Sequence, residues 1–220
     1  MKFSKRAWSV VGAAAAAALV SGGLSFALTT TGDTKTVEVW ADPSDKTSII
    51  NAGEQLVAAG DVEQGRALED GVVDETEYRE SFERLRSCVE EAGPRVSDAV
   101  VSPLDGSTLE FAYDSGSLST STAMAIYDSC EGKHWQPLAS LYEAAAPSAI
   151  EPKLADAIAK CVEASNGVAP KNRADVDSFF EAGDGGEQQQ EAVATCAMEE
   201  TWALYPSMPS VTVVTPELPE

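Results

Sequence analysis

From Tyr78 onward the apolar positions advance by steps of four and three, through Phe82, Leu85, Val89 and Ala92. That rhythm lays a single apolar stripe along a helix. Asp74, with Glu77 three residues later, has the form of a capping box at its start. Gly93-Pro94 closes it, because Gly accepts the left-handed cap and Pro cannot continue the helix. The period then drops to two. Leu109, Phe111 and Tyr113 alternate as in a strand, and Val96 to Val101 can pair with them across the Asp105-Gly106 turn. Ser117 to Thr122 is a polar loop. A second helix is predicted from about Ser121 through Tyr127 and Cys130 until Pro137 interrupts it, with a short continuation over Leu138, Leu141 and Tyr142.

The flanks are weaker. Asp33 to Lys46 reads as a stalk holding one short strand, Thr36 to Trp40. A helical stretch follows from Ser48 to Leu68, with Ile49, Ile50, Leu56, Val57 and Val62 apolar and with Gly53 and Gly60 counting against it. Ala144 to Pro152 reads as a linker, and Pro152 suits the first residue of the next helix. The tail from Pro206 carries four prolines and is expected to be loose.

The N-terminus has a different character. Lys2, Lys5 and Arg6 precede an uncharged stretch from Ala7 to Leu28. Positive charge before an apolar run keeps the N-terminus inside and sends the remainder across the membrane. Two fates are open. Ser25-Phe26-Ala27 offers small residues for a signal peptidase cutting before Leu28. The run is also just long enough to span a bilayer as an N-in, C-out anchor, although it is rich in Ala and Gly.

Charge sharpens this picture. The formal net charge is −21. Three of the 15 basic residues lie in the opening segment, so 12 face all 36 acidic residues beyond it, a balance of −24. Such a surface repels nucleic acid and anionic lipid heads and attracts cations or basic partners. Acidity also simply keeps an exported protein soluble.

The second half echoes the first. Leu85-Arg86-Ser87-Cys88-Val89-Glu90 aligns with Ile158-Ala159-Lys160-Cys161-Val162-Glu163, and Gly93 and Gly167 follow. Each Cys then has a later partner with a Trp and a Tyr behind it: Cys130, Trp135 and Tyr142, then Cys196, Trp202 and Tyr205. This ordered series points to an internal duplication. Four Cys outside a membrane most often form two disulfides, with three possible connectivities. The repeat favours Cys88–Cys130 and Cys161–Cys196. No CxxC spacing supports a redox or zinc role instead.

Asp70-Gly71-Val72-Val73, Glu77-Tyr78, a helical Cys followed by Gly, a hairpin, and Tyr127-Asp128-Ser129-Cys130 together resemble a group of uncharacterised exported actinobacterial proteins. The resemblance covers roughly Leu68 to Tyr142 and, more weakly, the second half. It implies export and paired Cys, and it carries no catalytic residue over.

Three kinds of site suggest themselves. Asp70, Gly71, Val73 and Glu77 match the second half of an EF-hand loop, which makes Asp70, Asp74 and Glu77 weak metal candidates. The first half fails, because Arg66 and Leu68 occupy the earlier ligand positions; a turn plus a helix cap explains the same residues. His134, the only histidine, lies near Asp128, Ser129 and Ser140, but no G-x-S-x-G elbow is present, so a packed or surface His is expected. Glu90-Glu91 and Glu199-Glu200 are carboxylate pairs that an acidic chain produces by chance. Trp40, Trp135 and Trp202 could stack on sugars, but Trp135 and Trp202 occupy matching repeat positions, which favours core.

The sequence therefore predicts an α+β, mainly α protein: two related disulfide-stapled helical pairs, the first with an inserted β-hairpin, behind an N-terminal export or anchor helix. The segments are 1–32 (signal peptide or anchor), 33–73 (stalk and N-terminal helical segment), 74–146 and 150–205 (the two Cys-paired units) and 206–220 (Pro-rich tail). The expected function is non-enzymatic: an exported interaction or accessory module at the bacterial cell envelope, with an envelope protein or polymer as partner, no nucleic acid and no cofactor. Membrane contact is expected only through residues 7–28, if they are retained. The alternatives are an envelope hydrolase on glycan or peptide, using His134 or carboxylates, and a weak divalent-cation binder.

Overall fold

The computed structural model describes residues 24–29, 36–183 and 186–216. Among these residues the chain is mainly helical, with eight helices and six short strands. Two compact units emerge. One gathers the described residues up to Val96 together with Asp114–Ala146; the other gathers Ser97–Tyr113 with the residues from Pro147 onward.

The first unit begins with an antiparallel ribbon. β1 (Leu24–Thr29) pairs with β2 (Thr36–Ala41), from Leu24 opposite Ala41 to Thr29 opposite Thr36. The predicted strand is thus present, and it has a partner. Residues 7–23 of the predicted export segment lie outside the described residues, whereas its last five residues lie in β1 rather than in a helix. No helix among the described residues is long and apolar enough to cross a membrane.

The helical stretch expected over 48–68 is two helices, α1 (Lys46–Ala58) and α2 (Val62–Ala67). Gly60, at φ +97°, turns the chain between them. Gly53 has the opposite role. It stays helical because its backbone meets Gly65: a Cβ on Gly65 would stand 2.5 Å from the Gly53 carbonyl oxygen. The close crossing puts Ile49, Ala52, Leu56 and Leu68 into one core with Leu138 and Leu141.

α3 (Glu75–Glu91) carries the predicted capping box. Asp74 Oδ1 accepts from the Glu77 N–H at 2.9 Å, and Glu77 Oε2 accepts from the Asp74 N–H at 3.1 Å. Its buried stripe is Tyr78, Ser81, Phe82, Leu85 and Val89. Ser119 caps α4 (Thr120–His134), and α5 (Gln136–Ala145) follows after a break at Trp135. Pro137 causes the break, having no N–H to donate and no room for the preceding turn. The break turns Trp135 inward. Its ring stacks on Tyr78 at 4.8 Å and meets Phe82 edge-on at 5.8 Å, while Tyr142 covers Tyr78 from 4.3 Å. The Tyr78 hydroxyl donates to Glu143 Oε1 at 2.6 Å, so the buried phenol is satisfied. The Cys88–Cys130 disulfide joins α3 to α4.

Between the helices the chain forms β3 (Arg95–Val96), β4 (Val100–Val101), β5 (Leu109–Glu110) and β6 (Tyr113–Asp114), and β3 pairs with β6. The predicted hairpin is real but short: Val100 lies opposite Glu110 and Val101 opposite Leu109, around a turn in which Gly106 takes φ +75°. Expected within 74–146, the hairpin groups with the second unit instead. Its loop is bound there by the backbone, with the Ala149 N–H donating to Asp105 O and the Glu151 N–H to Pro103 O.

The second unit contains α6 (Pro152–Ala164), α7 (Asp177–Phe180) and α8 (Glu187–Leu204). Pro152 stands at the helix start as expected, and Glu151 caps it by accepting from the Lys153 and Leu154 N–H groups at 2.8 and 3.0 Å. Leu104, Ile150, Leu154, Ile158, Val162, Phe179, Phe180 and Val193 form the core. The Cys161–Cys196 disulfide joins α6 to α8.

The tail is held in place as far as Val213. Met208 is buried, and Val211 and Val213 pack on the core. The buried carboxylate of Glu110 fixes the segment, accepting from Ser210 Oγ at 2.6 Å, Thr212 N at 2.8 Å and Thr212 Oγ1 at 3.2 Å. The prolines suit this extended course without hindering it. Glu110→Ala leaves three donors without their acceptor and is expected to cost about 2–4 kcal/mol. Limited proteolysis should then cut beyond Tyr205 while wild type resists; equal resistance would show that the carboxylate does not hold the tail.

Candidate functional site

The most concentrated polar chemistry of the first unit lies where α2 meets the end of α4. A helix leaves its last carbonyls unbonded. Here Gln64, wholly buried on α2, supplies the missing donors: its Nε2 lies 2.9 Å from Lys133 O and 3.2 Å from Gly132 O, and 2.7 Å from Asp61 Oδ2. Asp61 in turn caps α2 through the Gln64 N–H. Lys133 places a cationic side chain in the last turn of α4, where the helix dipole favours it, and His134 follows it.

His134 has 14% of its side chain exposed, and its Nδ1 stands 3.8 Å from Glu63 Oε2 without a hydrogen bond. Gln64 Oε1 and Arg84 Nε are likewise buried without hydrogen-bond partners. Burial, helped by Lys133, holds the imidazole below its ordinary pKa against the pull of Glu63 and Asp61. Burial raises the Asp61 carboxyl, opposed by its bonds from Gln64. On the same helix, burial raises the Tyr127 phenol, whose hydroxyl donates to Glu131 Oε1 at 3.2 Å, and also raises the Glu131 carboxyl. Asp128 and Ser129, the neighbours a hydrolase would recruit, are exposed on α4. The cluster around His134 is a helix-end pin built from a glutamine amide.

The other predicted site residues occupy separate places. Asp70 Oδ1 accepts from the Val72 N–H at 3.0 Å in a turn, and Asp74 and Glu77 cap α3. Burial raises the Glu77 carboxyl, with Asp74, Asp70 and Glu80 adding repulsion. Among the described residues no group of three His, Cys, Asp or Glu is arranged to hold a metal ion. Glu90 Oε1 lies 3.3 Å from the Val96 N–H and 3.6 Å from Arg86 Nε, while Glu91 is exposed. The Trp40 side chain lies outside the described residues. A shallow depression is lined by Glu75, Thr76, Arg79, Glu80 and Glu83, all from α3.

The two repeat tryptophans differ, which corrects the expectation that both are core. Trp135 is buried in the aromatic stack, whereas Trp202 is 37% exposed on an unbroken α8. The cause is the helix break. Trp135, five positions after Cys130, stands at the non-helical junction of α4 and α5, whereas Trp202, six after Cys196, continues an α8 that does not break and stays on the side away from its cysteine. Tyr205 differs too: it bonds Glu151 where Tyr142 stacks on Tyr78.

Trp202 belongs to a face that sequence reasoning missed. Buried positions of α8 are Gln189, Val193, Cys196, Ala197 and Thr201. On the opposite side Glu187, Glu191, Thr195, Met198 and Trp202 follow one another by steps of three and four, all exposed, with Glu199 beside them. Met198 is 45% exposed. The signal was in the sequence, as a second period-3.6 stripe out of phase with the cysteine, but the repeat alignment masked it.

The chain matches no protein-family model, and neither a curated protein nor a solved structure is significantly similar to it.

The pKa of His134 makes the pin pH-sensitive with a defined sign. Its folded value lies below the ordinary value of about 6.5, so the unfolded chain takes the proton first as pH falls. Stability should be level above about pH 6.5 and decline below it. Asp61 acts oppositely at lower pH, because a raised carboxyl favours the folded state below its ordinary pKa and loses that contribution as pH rises through the folded value. Thermal melts of wild type and His134→Gln across about pH 5 to 7.5 should show a decline only in wild type; parallel curves would contradict the assignment.

Proposed function

We propose that this chain is an exported, extracytoplasmic interaction module of the bacterial cell envelope, and that its work is binding rather than catalysis. The observation that carries the reading is the outward face of α8, where Met198 and Trp202 meet solvent on a unit closed by a disulfide. Tryptophan is among the most buried side chains on average and is enriched at binding interfaces. An exposed Trp beside an exposed Met, one turn apart, is a surface that rewards being covered.

The cysteines support the compartment. All four are paired, one bond within each compact unit, and such bonds persist in oxidising compartments. The opening Lys2, Lys5 and Arg6 before an uncharged run, and the resemblance to exported actinobacterial proteins, support the same placement. The excess of acid keeps such a module soluble and directs it away from anionic polymers and lipid heads.

Topology is tested by a reporter fused after Glu220, expected to be active only outside the cytoplasm. N-terminal sequencing then separates the fates: a start at Leu28 means cleavage, and a retained Met1 or Lys2 means an anchor. Activity confined to the cytoplasm, with alkylatable thiols at the four cysteines, would overturn the proposal.

A further inference from the structure

We propose that the outward face of α8 docks a basic, arginine-bearing segment of a partner protein, with a guanidinium laid on the Trp202 ring; this rests on the binding role proposed above. The occupant is chosen by charge. The face presents Glu199 within one turn of Met198 and Trp202, with Glu191 and Glu187 further toward the start of the same stripe, and α8 contains no Lys or Arg from end to end. Trp202 sits in the last turn, where the helix dipole is negative and the turn itself holds no basic residue. One of the terminal carbonyls is satisfied at the cap, Thr201 O by the Tyr205 N–H at 2.8 Å, and this bond brings no positive charge.

A cation over an indole face is attracted by the ring quadrupole, and indole is the strongest of the aromatic acceptors. Arginine adds a flat group that stacks and donates to flanking carboxylates at once, which an ammonium does not. Met198, one turn earlier, is a soft and adaptable contact for the aliphatic part of the segment. A second copy of this chain suits the face poorly, because it would bring carboxylate against carboxylate on proteins of net charge −21. An anionic lipid surface is repelled for the same reason.

The test uses the full exported chain and a synthetic amphipathic peptide bearing alternating Arg and Leu faces, with Lys-for-Arg and Gln-for-Arg versions, followed by calorimetry and tryptophan emission. The Arg peptide should bind more tightly than the Lys peptide, and the Gln peptide should not bind. Trp202→Ala should weaken binding about tenfold and Glu199→Gln about threefold. Glu163→Gln, an exposed charge on α6, should leave affinity unchanged. All three substitutions are at the surface, and matching melting curves confirm the fold. Equal weakening by Glu163→Gln and Glu199→Gln would reduce the effect to non-specific charge and overturn the proposal. Undiminished binding by Trp202→Ala would do the same, as would Trp202-dependent dimerisation or uptake onto anionic vesicles in place of peptide binding. Because binding is read in solution, these failures leave the extracytoplasmic placement standing, and a failed reporter assay leaves the peptide result standing.

Discussion

α4 and α8 each carry the second cysteine of a disulfide, and each buries little apolar surface of its own. α4 turns only Ala123, Tyr127 and Cys130 inward; α8 buries Gln189, Val193, Cys196, Ala197 and Thr201, two of them polar and one an alanine. Their partners are different in kind. α3 buries Tyr78, Phe82, Leu85 and Val89, and α6 buries Leu154, Ile158 and Val162. In each unit, then, a strongly amphipathic helix is joined covalently to a weakly amphipathic one. The hydrophobic effect alone holds the first kind well and the second poorly. Closing loops of 42 and 35 residues removes unfolded-state freedom worth about 4 kcal/mol each on the chain-entropy account.

Much else depends on that attachment. With α4 in place, the break at Trp135 delivers the indole onto Tyr78 and Phe82, and the carbonyls of Gly132 and Lys133 come within reach of the Gln64 amide. With α8 in place, Gln189 can serve the second unit in a comparable way: its amide donates to Val168 O and Phe179 O and its carbonyl accepts from the Val168 N–H. Each unit thus uses one buried glutamine to satisfy backbone that its short helices leave open. Holding α8 by a covalent bond and a polar pin also leaves its far side unconstrained by packing, so Met198 and Trp202 can stand in solvent among carboxylates.

Where the sequence speaks through periodicity or obligate chemistry, it is legible. The four-three rhythm from Tyr78 to Val89, the Asp74–Glu77 cap, Pro137 as a break and Pro152 as a start all reappear in the structure, because each is a local consequence of backbone sterics or hydrogen bonding; Ala92, the last position of the predicted stripe, is exposed at the cap. What misleads is tertiary. Gly53 counts against a helix by propensity, but it is needed where Gly65 approaches. The proline-rich tail counts as loose, but a buried Glu110 on β5 collects its donors. The repeat suggested a shared role for Trp135 and Trp202, but only the first stands at a helix break that turns it inward. Of the candidate site residues, Asp70 lies in a turn and Asp74 and Glu77 form a helix cap, while the face of α8 was hidden by reading the helix only from its cysteine side.

The central claim is that the disulfides, rather than apolar packing, secure α4 and α8. Native-state hydrogen exchange on a Cys88→Ala/Cys130→Ala variant tests it most directly. The account predicts that amides of 120–134 lose most of their protection while those of 152–164 and 187–204 keep theirs, with a loss of about 2–5 kcal/mol confined to the first unit. Protection of 120–134 unchanged from wild type would contradict it, and would mean that the few buried contacts of α4 suffice.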